Sequence, residues 1–336
     1  MGAVAFSSVL CRPWISEMID RIGRKKGYTL GTLIMSLLPL VYLQFKGDLA
    51  SFYLLLILVR VMHGVGVALC FTSVFTYIAD IVPKDRLNEG IGMFGVTGLT
   101  GLALGPAIAE SIIQNFGFAA FFLTATGIAT VGLLLHLPVP DRYAQISHEP
   151  SQSFFSVLVR RKNFIVAFLA FLFGFGLSAS ASFVAPLAKE RQLTFIALYY
   201  IFYSLAAVTT RLFGGRLADK IGEDRIIPPA LVLTGAGLLV LIFLGGNTIL
   251  TLSGLMSGCG HGLLFPCLNS LAIRQEPIHI RGKITGVFTG GIDAGAFVGS
   301  IMLGFIGEWA GFRALFFAAG GSLLTGLWFY RLLNRK

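Results

Sequence analysis

Few side chains in this sequence can do chemistry, and most of them sit in apolar runs. Asp293, in GGIDAGAFVG, is the only acidic residue deep within the second half of the chain. A carboxyl in that setting is a candidate protonation switch, because apolar surroundings penalise its charged form. The same group could instead cap a neighbouring helix or pair with an arginine. Arg60, in LVRVMHGVG, lies about a third of the way into another apolar run. A charge at that depth is costly and faces a cavity or a partner. His63 is three residues further on, on a nearby helical face, and reads either as a proton-handling group or as a hydrogen-bonded structural one. Tyr199, Tyr200, Tyr203, His261 and Asn269 add aromatic and polar groups of the kind that line a cavity for an amphipathic ligand, although ordinary helix packing explains any single tyrosine equally well. Six further charges cluster in SEMIDRIGRKK, residues 16–26, and six in the similar string GRLADKIGEDR, residues 215–225.

The elements that position these groups are set by composition. Of 336 residues, 55% are hydrophobic and 12% charged, about half the charge of a soluble domain, so the bulk solvent is lipid. Eleven apolar segments predict spanning helices, at 1–18, 28–45, 50–80, 88–112, 118–138, 163–187, 194–218, 226–245, 248–273, 284–306 and 313–332. With charges at span ends counted to the adjoining connection, nineteen of the 26 Lys and Arg lie on one side, four lie on the other, and Arg12, Arg60 and Arg211 lie within spans. The bias predicts that the basic side and the C-terminus face the cytoplasm of a multi-pass cell-membrane protein. The net charge of +10 therefore reports topology. Nucleic acid is not expected as a partner, because the basic residues form short clusters between long apolar segments. Cys11, Cys70, Cys259 and Cys267 sit in apolar segments without metal-ligand spacing. No phosphate-binding glycine loop or nucleophile–base set is present, so neither an enzyme nor a bound cofactor or metal is expected.

The chain repeats itself. Arg12, Asp20, Arg21, Ile22 and Gly23 align with Arg211, Asp219, Lys220, Ile221 and Gly222 at an offset of 199. Further on the offset is 194, pairing Gly64 and Gly66 with Gly258 and Gly260, Gly101 and Gly105 with Gly295 and Gly299, and Gly117-Phe118 with Gly311-Phe312. Six spans separate the paired motifs, so the two copies run in the same orientation. Residues 1–138 form one bundle, 139–162 a polar linker and 163–336 the second bundle. Parallel halves with a site at their interface near the bilayer midplane are a transporter architecture. Asp219 follows the start of its copy by 56 residues and Asp20 by only 19. The first copy is thus expected to begin inside its second helix. A wrongly assigned start, a truncated gene and a true eleven-span protein are the readings of that difference.

These motifs resemble those of the major facilitator superfamily. The family's loop, G-x-x-x-D-R/K-x-G-R-K/R-K/R, is matched by Asp20, Arg21, Gly23, Arg24, Lys25 and Lys26, with Ser16 replacing the first glycine. The second copy keeps Gly215, Asp219, Lys220 and Gly222 but carries Glu223 and Asp224 where basic residues are expected. The resemblance implies an all-α fold of two pseudo-symmetric bundles with about eleven of twelve helices, the first missing. It implies that Asp20 and Arg24 latch the loop against the other half, with Asp219 doing so less strongly. Arg60, Gly64 and Gly66 resemble a fourth-helix motif linked to proton coupling, which joins Arg60 to Asp293 and His63 in that role. GLALGPAIAE, with Gly101, Gly105 and Pro106, resembles the fifth-helix motif of drug–proton exporters, ending in Ala109 and Glu110 instead of two glycines. Pro106 lets that helix bend, and the glycines admit a close neighbour. The implied activity is proton-coupled efflux of a small organic solute by a monomer in a lipid bilayer. Proton-coupled import and a non-transporting remnant are the alternatives.

Overall fold

The computed structural model describes residues 2–45, 47–141 and 152–334, without the side chains of residues 49, 106, 107 and 332–334. Residues 142–151 of the predicted linker, Arg142 among them, lie outside the described residues.

Helices account for nearly all of the described chain. In order they are α1 (Gly2–Ile22), α2 (Arg24–Tyr42), α3 (Leu49–Ile81), α4 (Leu87–His136), the short α5 (Phe154–Leu158), α6 (Arg161–Glu190), α7 (Ala197–Ile221), α8 (Glu223–Val240), α9 (Asn247–Ile273) and α10 (Arg281–Asn334). A straight helix of 50 residues would be about 75 Å long, against about 30 Å of hydrocarbon. α4 is therefore two spans, separated at Gly117 with φ 80°, and α10 is two more, separated at Gly311 with φ 78°. Both glycines open the repeated Gly-Phe pair. A side chain rarely adopts that φ, so the repeat conserves the residue type that the break requires. The predicted interruptions at 113–117 and 307–312 thus shrink to a single residue each. With these breaks the chain supplies the eleven spans expected from its sequence.

Among the described residues, six helical stretches are long and apolar enough to cross a membrane by composition alone, Ala50–Ile81 and Arg161–Glu190 being two of them. α1 and α7 are not, because Arg12, Glu17, Asp20 and Arg21 in one, and Arg211, Arg216, Asp219 and Lys220 in the other, dilute them. Those are the helices that each half turns toward the other: α1 packs on α10, and α7 on α4. Their charges fall in the protein interior and at its basic end instead of against lipid. Trp14, Leu54, Phe213 and Trp309 line the outer surface, the side a bilayer would solvate.

The second half is the more completely packed. Tyr199, Tyr203 and Ala207 of α7 lie with their backbone against Gly254, Gly258 and Gly262 of α9, one helical turn apart; a Cβ at Gly254 would lie 2.6 Å from the Tyr199 carbonyl oxygen. This is the small-residue packing that joins helices in lipid. α6 runs along α10 in the same way, where a Cβ on Gly295 would collide with the carbonyl of Phe171 and one on Gly299 would lie 3.1 Å from Cα of Phe175. The repeat partners Gly101 and Gly105 on α4 have no described neighbour within 4 Å. Among the described residues no close neighbour meets them, and none of the most apolar stretch of Ile108–His136 is buried, against 67% in α6. The backbone is helical through Pro106.

Gly295→Ala should cost about 1–3 kcal/mol of stability by overpacking α6 against α10. Gly321→Ala, also on α10 but with nothing within 4 Å, should be neutral or slightly stabilising. Melting midpoints of the purified variants check both.

Candidate functional site

Two carboxylates join the halves at the basic end. α10 starts at Arg281 and α4 at Leu87, so the backbone N–H groups that follow have no partner within their own helix. Asp20 of α1 accepts from the N–H of Gly282 at 2.9 Å, from that of Lys283 at 3.1 Å and from Lys283 Nζ at 3.2 Å. Asp219 of α7 accepts from the N–H of Asn88 at 3.1 Å, from Asn88 Nδ2 at 2.9 Å and from the N–H of Glu89 at 3.0 Å. Each half thus caps the N-terminus of a helix in the other, where a negative charge also complements the helix dipole. The spacing repeats: 282 and 283 less 194 give 88 and 89. Asp219 thus repeats, in the second half, the cap that Asp20 makes in the first.

The reason it needs no basic loop is a reversal of charge. In the first half Arg24 donates from Nε to Asp80 at 2.9 Å and lies 3.2 Å from Asp20. In the second half the matching positions are Glu223 and Arg274, and Glu223 Oε1 accepts from Arg274 Nε at 2.8 Å while Arg274 Nη2 donates to Asp219 at 2.8 Å. The acid and base have exchanged helices, so Glu223 supports the same geometry. Arg24 also donates to the Ile278 carbonyl at 2.6 Å, and Arg281 to Asp80 at 3.0 Å, both across the halves. Gly23 and Gly222, with φ 100° and 90°, make the reversals between α1 and α2 and between α7 and α8. Gly215 is buried against the backbone of Glu89, where a Cβ would lie 2.8 Å from its Cα. Arg21 and Lys220 are exposed and form no hydrogen bond among the described residues, so their part is confined to the charge of the loop.

About 12–15 Å further into the bundle, by helical rise from Asp20 and Lys283, the halves meet again around a cavity of about 470 Å³. Arg12 and Asp293 form an ion pair across its wall. Ser8 Oγ donates to the same Asp293 oxygen at 2.6 Å, and Arg12 Nη1 donates to Thr72 Oγ1 at 2.8 Å and the Ala68 carbonyl at 3.3 Å. Arg12 is 2% exposed, whereas the Asp293 side chain is 25% exposed and faces the cavity. Opposite stand Arg211 and His261, with Phe75, Phe94, Phe173 and Phe265 as the apolar wall. Tyr203 Oη shares a hydrogen bond with His261 Nδ1.

The expected site is therefore only partly assembled. His261 lines the cavity, and Tyr203 supports it from behind. Tyr199 is fully buried and hydrogen-bonds Ser180 Oγ at 3.0 Å, and Asn269 is likewise buried off the cavity. Nor does Arg60 join Asp293. It is exposed, over the ring of Tyr42 at 5.4 Å. Arg60 and His63 precede Thr72, which holds Arg12, by twelve and nine residues, about 18 and 14 Å along α3. Arg12 and Arg211 are the site residues the sequence reading left unassigned. The available signal was that both are charges inside spans and are partners in the repeat.

Glu223→Arg should remove about 2–3 kcal/mol of stability, less than a fully buried pair because Arg274 is partly exposed. Adding Arg274→Asp recreates the Arg24–Asp80 arrangement and should restore at least half of that loss, as read from melting midpoints of single and double variants.

The chain has relatives throughout. A family profile described as Major Facilitator Superfamily matches residues 1–274 and 166–336. Multidrug resistance protein 2 of Bacillus subtilis is 30% identical over 287 residues, covering 81% of this chain and 67% of that one. Multidrug resistance protein MdtG of Salmonella schwarzengrund is 24% identical over 341 residues, covering 98% and 83%. The crystal structure of the Escherichia coli fucose:proton symporter FucP superposes with a TM-score of 0.80 over 99% of this chain and 90% of that one, at 14% identity, a likeness of fold alone. Paired bundles, exchanged helix caps and a profile spanning the whole chain lead to one conclusion: this protein belongs to the Major Facilitator Superfamily, as a multi-pass membrane transporter and not an enzyme.

Proposed function

We propose that the protein exports a small organic solute in exchange for protons, working as a monomer by alternating access. The observation that carries this reading is the Arg12–Asp293 pair, which ties α1 to α10 beside the cavity while leaving the carboxylate reachable from it. Protonation of Asp293 cancels its charge and releases Arg12 to its remaining partners on α3 and α1. One bond between the halves at cavity level is then lost, and the balance between the two cavity orientations shifts. A solute that binds only while the pair is closed favours the state that the proton disfavours, which is the linkage that exchange requires. The caps at Asp20 and Asp219 close the basic end, and the bias of basic residues supports assigning that end, together with the C-terminus, to the cytoplasm. The cavity in this arrangement would then face outward, where the proton enters. The multidrug names of the two relatives support the outward direction.

Asp293→Asn should lower transport driven by a pH gradient at least tenfold in proteoliposomes while leaving downhill exchange of the same solute in place. Uphill transport at the wild-type rate would remove Asp293 from the coupling step. Imposing the gradient in each direction separates export from import: an exchanger accumulates solute on the acidic side, a symporter on the side opposite.

A further inference from the structure

The two halves repeat each other at cavity level except for one charge. Arg12 of α1 meets Asp293 of α10. Arg211 is the repeat partner of Arg12, and the offset of 194 that maps 282 and 283 onto 88 and 89 maps Asp293 onto position 99. That residue is Leu99, which lines the same cavity. Arg211 has accordingly lost its counter-ion. It is 3% exposed, forms no ion pair or hydrogen bond with any described residue, and its Nε is buried without a partner. Its guanidinium lies 5.1 Å over the ring of Phe265 and reaches the cavity beside Gly95, where a Cβ would collide with Nη1.

A buried guanidinium without a carboxylate is expensive to keep, and intramembrane charges of this kind mark ligand paths. The positive and negative charges of Arg12 and Asp293 offset each other, so Arg211 leaves the cavity wall with one uncompensated positive charge. Next to it, His261 accepts or shares the Tyr203 hydroxyl proton at Nδ1, leaving Nε2 as the second polar position on that wall. Phe75, Phe94, Phe173 and Phe265 give the cavity an apolar, ring-lined face.

We propose that Arg211 is the binding group for an organic monoanion: a carboxylate or sulfonate on an apolar, ring-bearing body, which supplies from the ligand the acid that Leu99 replaced. Arg offers a planar pair of N–H donors matched to a carboxylate, and the phenylalanine wall takes the ring. This deepens the transport reading, since it names the solute class of the same cavity.

The test measures binding without any gradient, so that it fails or succeeds independently of transport. Purified full-length chain in detergent is titrated with 2-naphthoate and 4-biphenylcarboxylate, each against its own amide. The carboxylates should bind at least tenfold more tightly than the amides. Arg211→Gln should erase the difference, and Gly95→Ala should reduce it by displacing the guanidinium. Leu99→Asp, which gives Arg211 an internal partner, should erase it too while keeping or raising the melting midpoint, so a folding defect in Arg211→Gln cannot account for the result. Equal affinity of acid and amide, absence of carboxylate binding at millimolar concentration, or a preference that survives both Arg211→Gln and Leu99→Asp overturns the proposal. If neutral or cationic solutes are pumped while these acids are ignored, transport stands and the anion site falls.

Discussion

The structure depends on a carboxylate placed at the end of a helix it does not belong to. The free N–H groups at the starts of α4 and α10 are buried where the two halves meet, so an acceptor must come from the protein. Asp20 and Asp219 satisfy those groups from across the interface. The bond is largely to backbone, so it fixes a position along the helix and not a particular side chain. Because the interaction occurs twice, related by the repeat, the basic end closes symmetrically.

Around this shared geometry the sequence varies its charges. Arg24 and Asp80 in one half become Glu223 and Arg274 in the other, with the same elements joined and the polarity reversed. An ion pair has no preferred owner for each sign, and only the pairing is constrained. At cavity level the variation is of another kind. One half keeps an acid, Asp293, and the other puts Leu99 in its place. A reversed pair leaves the fold neutral toward ligands, whereas a missing partner leaves a charge that the bundle itself does not compensate. The asymmetry between otherwise matched halves is therefore concentrated where solute would sit.

Much of the fold was legible as pattern. The apolar runs, the side-to-side distribution of basic residues and the two repeat offsets gave eleven spans in two parallel sets, and the Gly-Phe pairs marked both breaks at Gly117 and Gly311. Asp20 and Gly23 were recognisable at the first loop. At the second loop Glu223 disrupts the motif, and the compensating arginine lies 51 residues away, just past the end of α9. Arg60 and His63 were grouped with Asp293 because all three are polar groups in spans, yet depth along α3 keeps them apart. Tyr199 and Asn269 face the packing between helices and not the cavity.

What the sequence by itself determined is what is local or periodic: the solvent, the number and orientation of spans, the duplication and the turns that need glycine. These follow from residue type summed along the chain. What the tertiary structure alone decided is partnership. Arg12 and Asp293 are separated by 281 positions, and nothing in the apolar runs around them says which faces of α1 and α10 meet. A helix is equally stable at any rotation about its axis until it packs. Only the packed arrangement shows that one arginine has an acid beside it and its repeat partner has none.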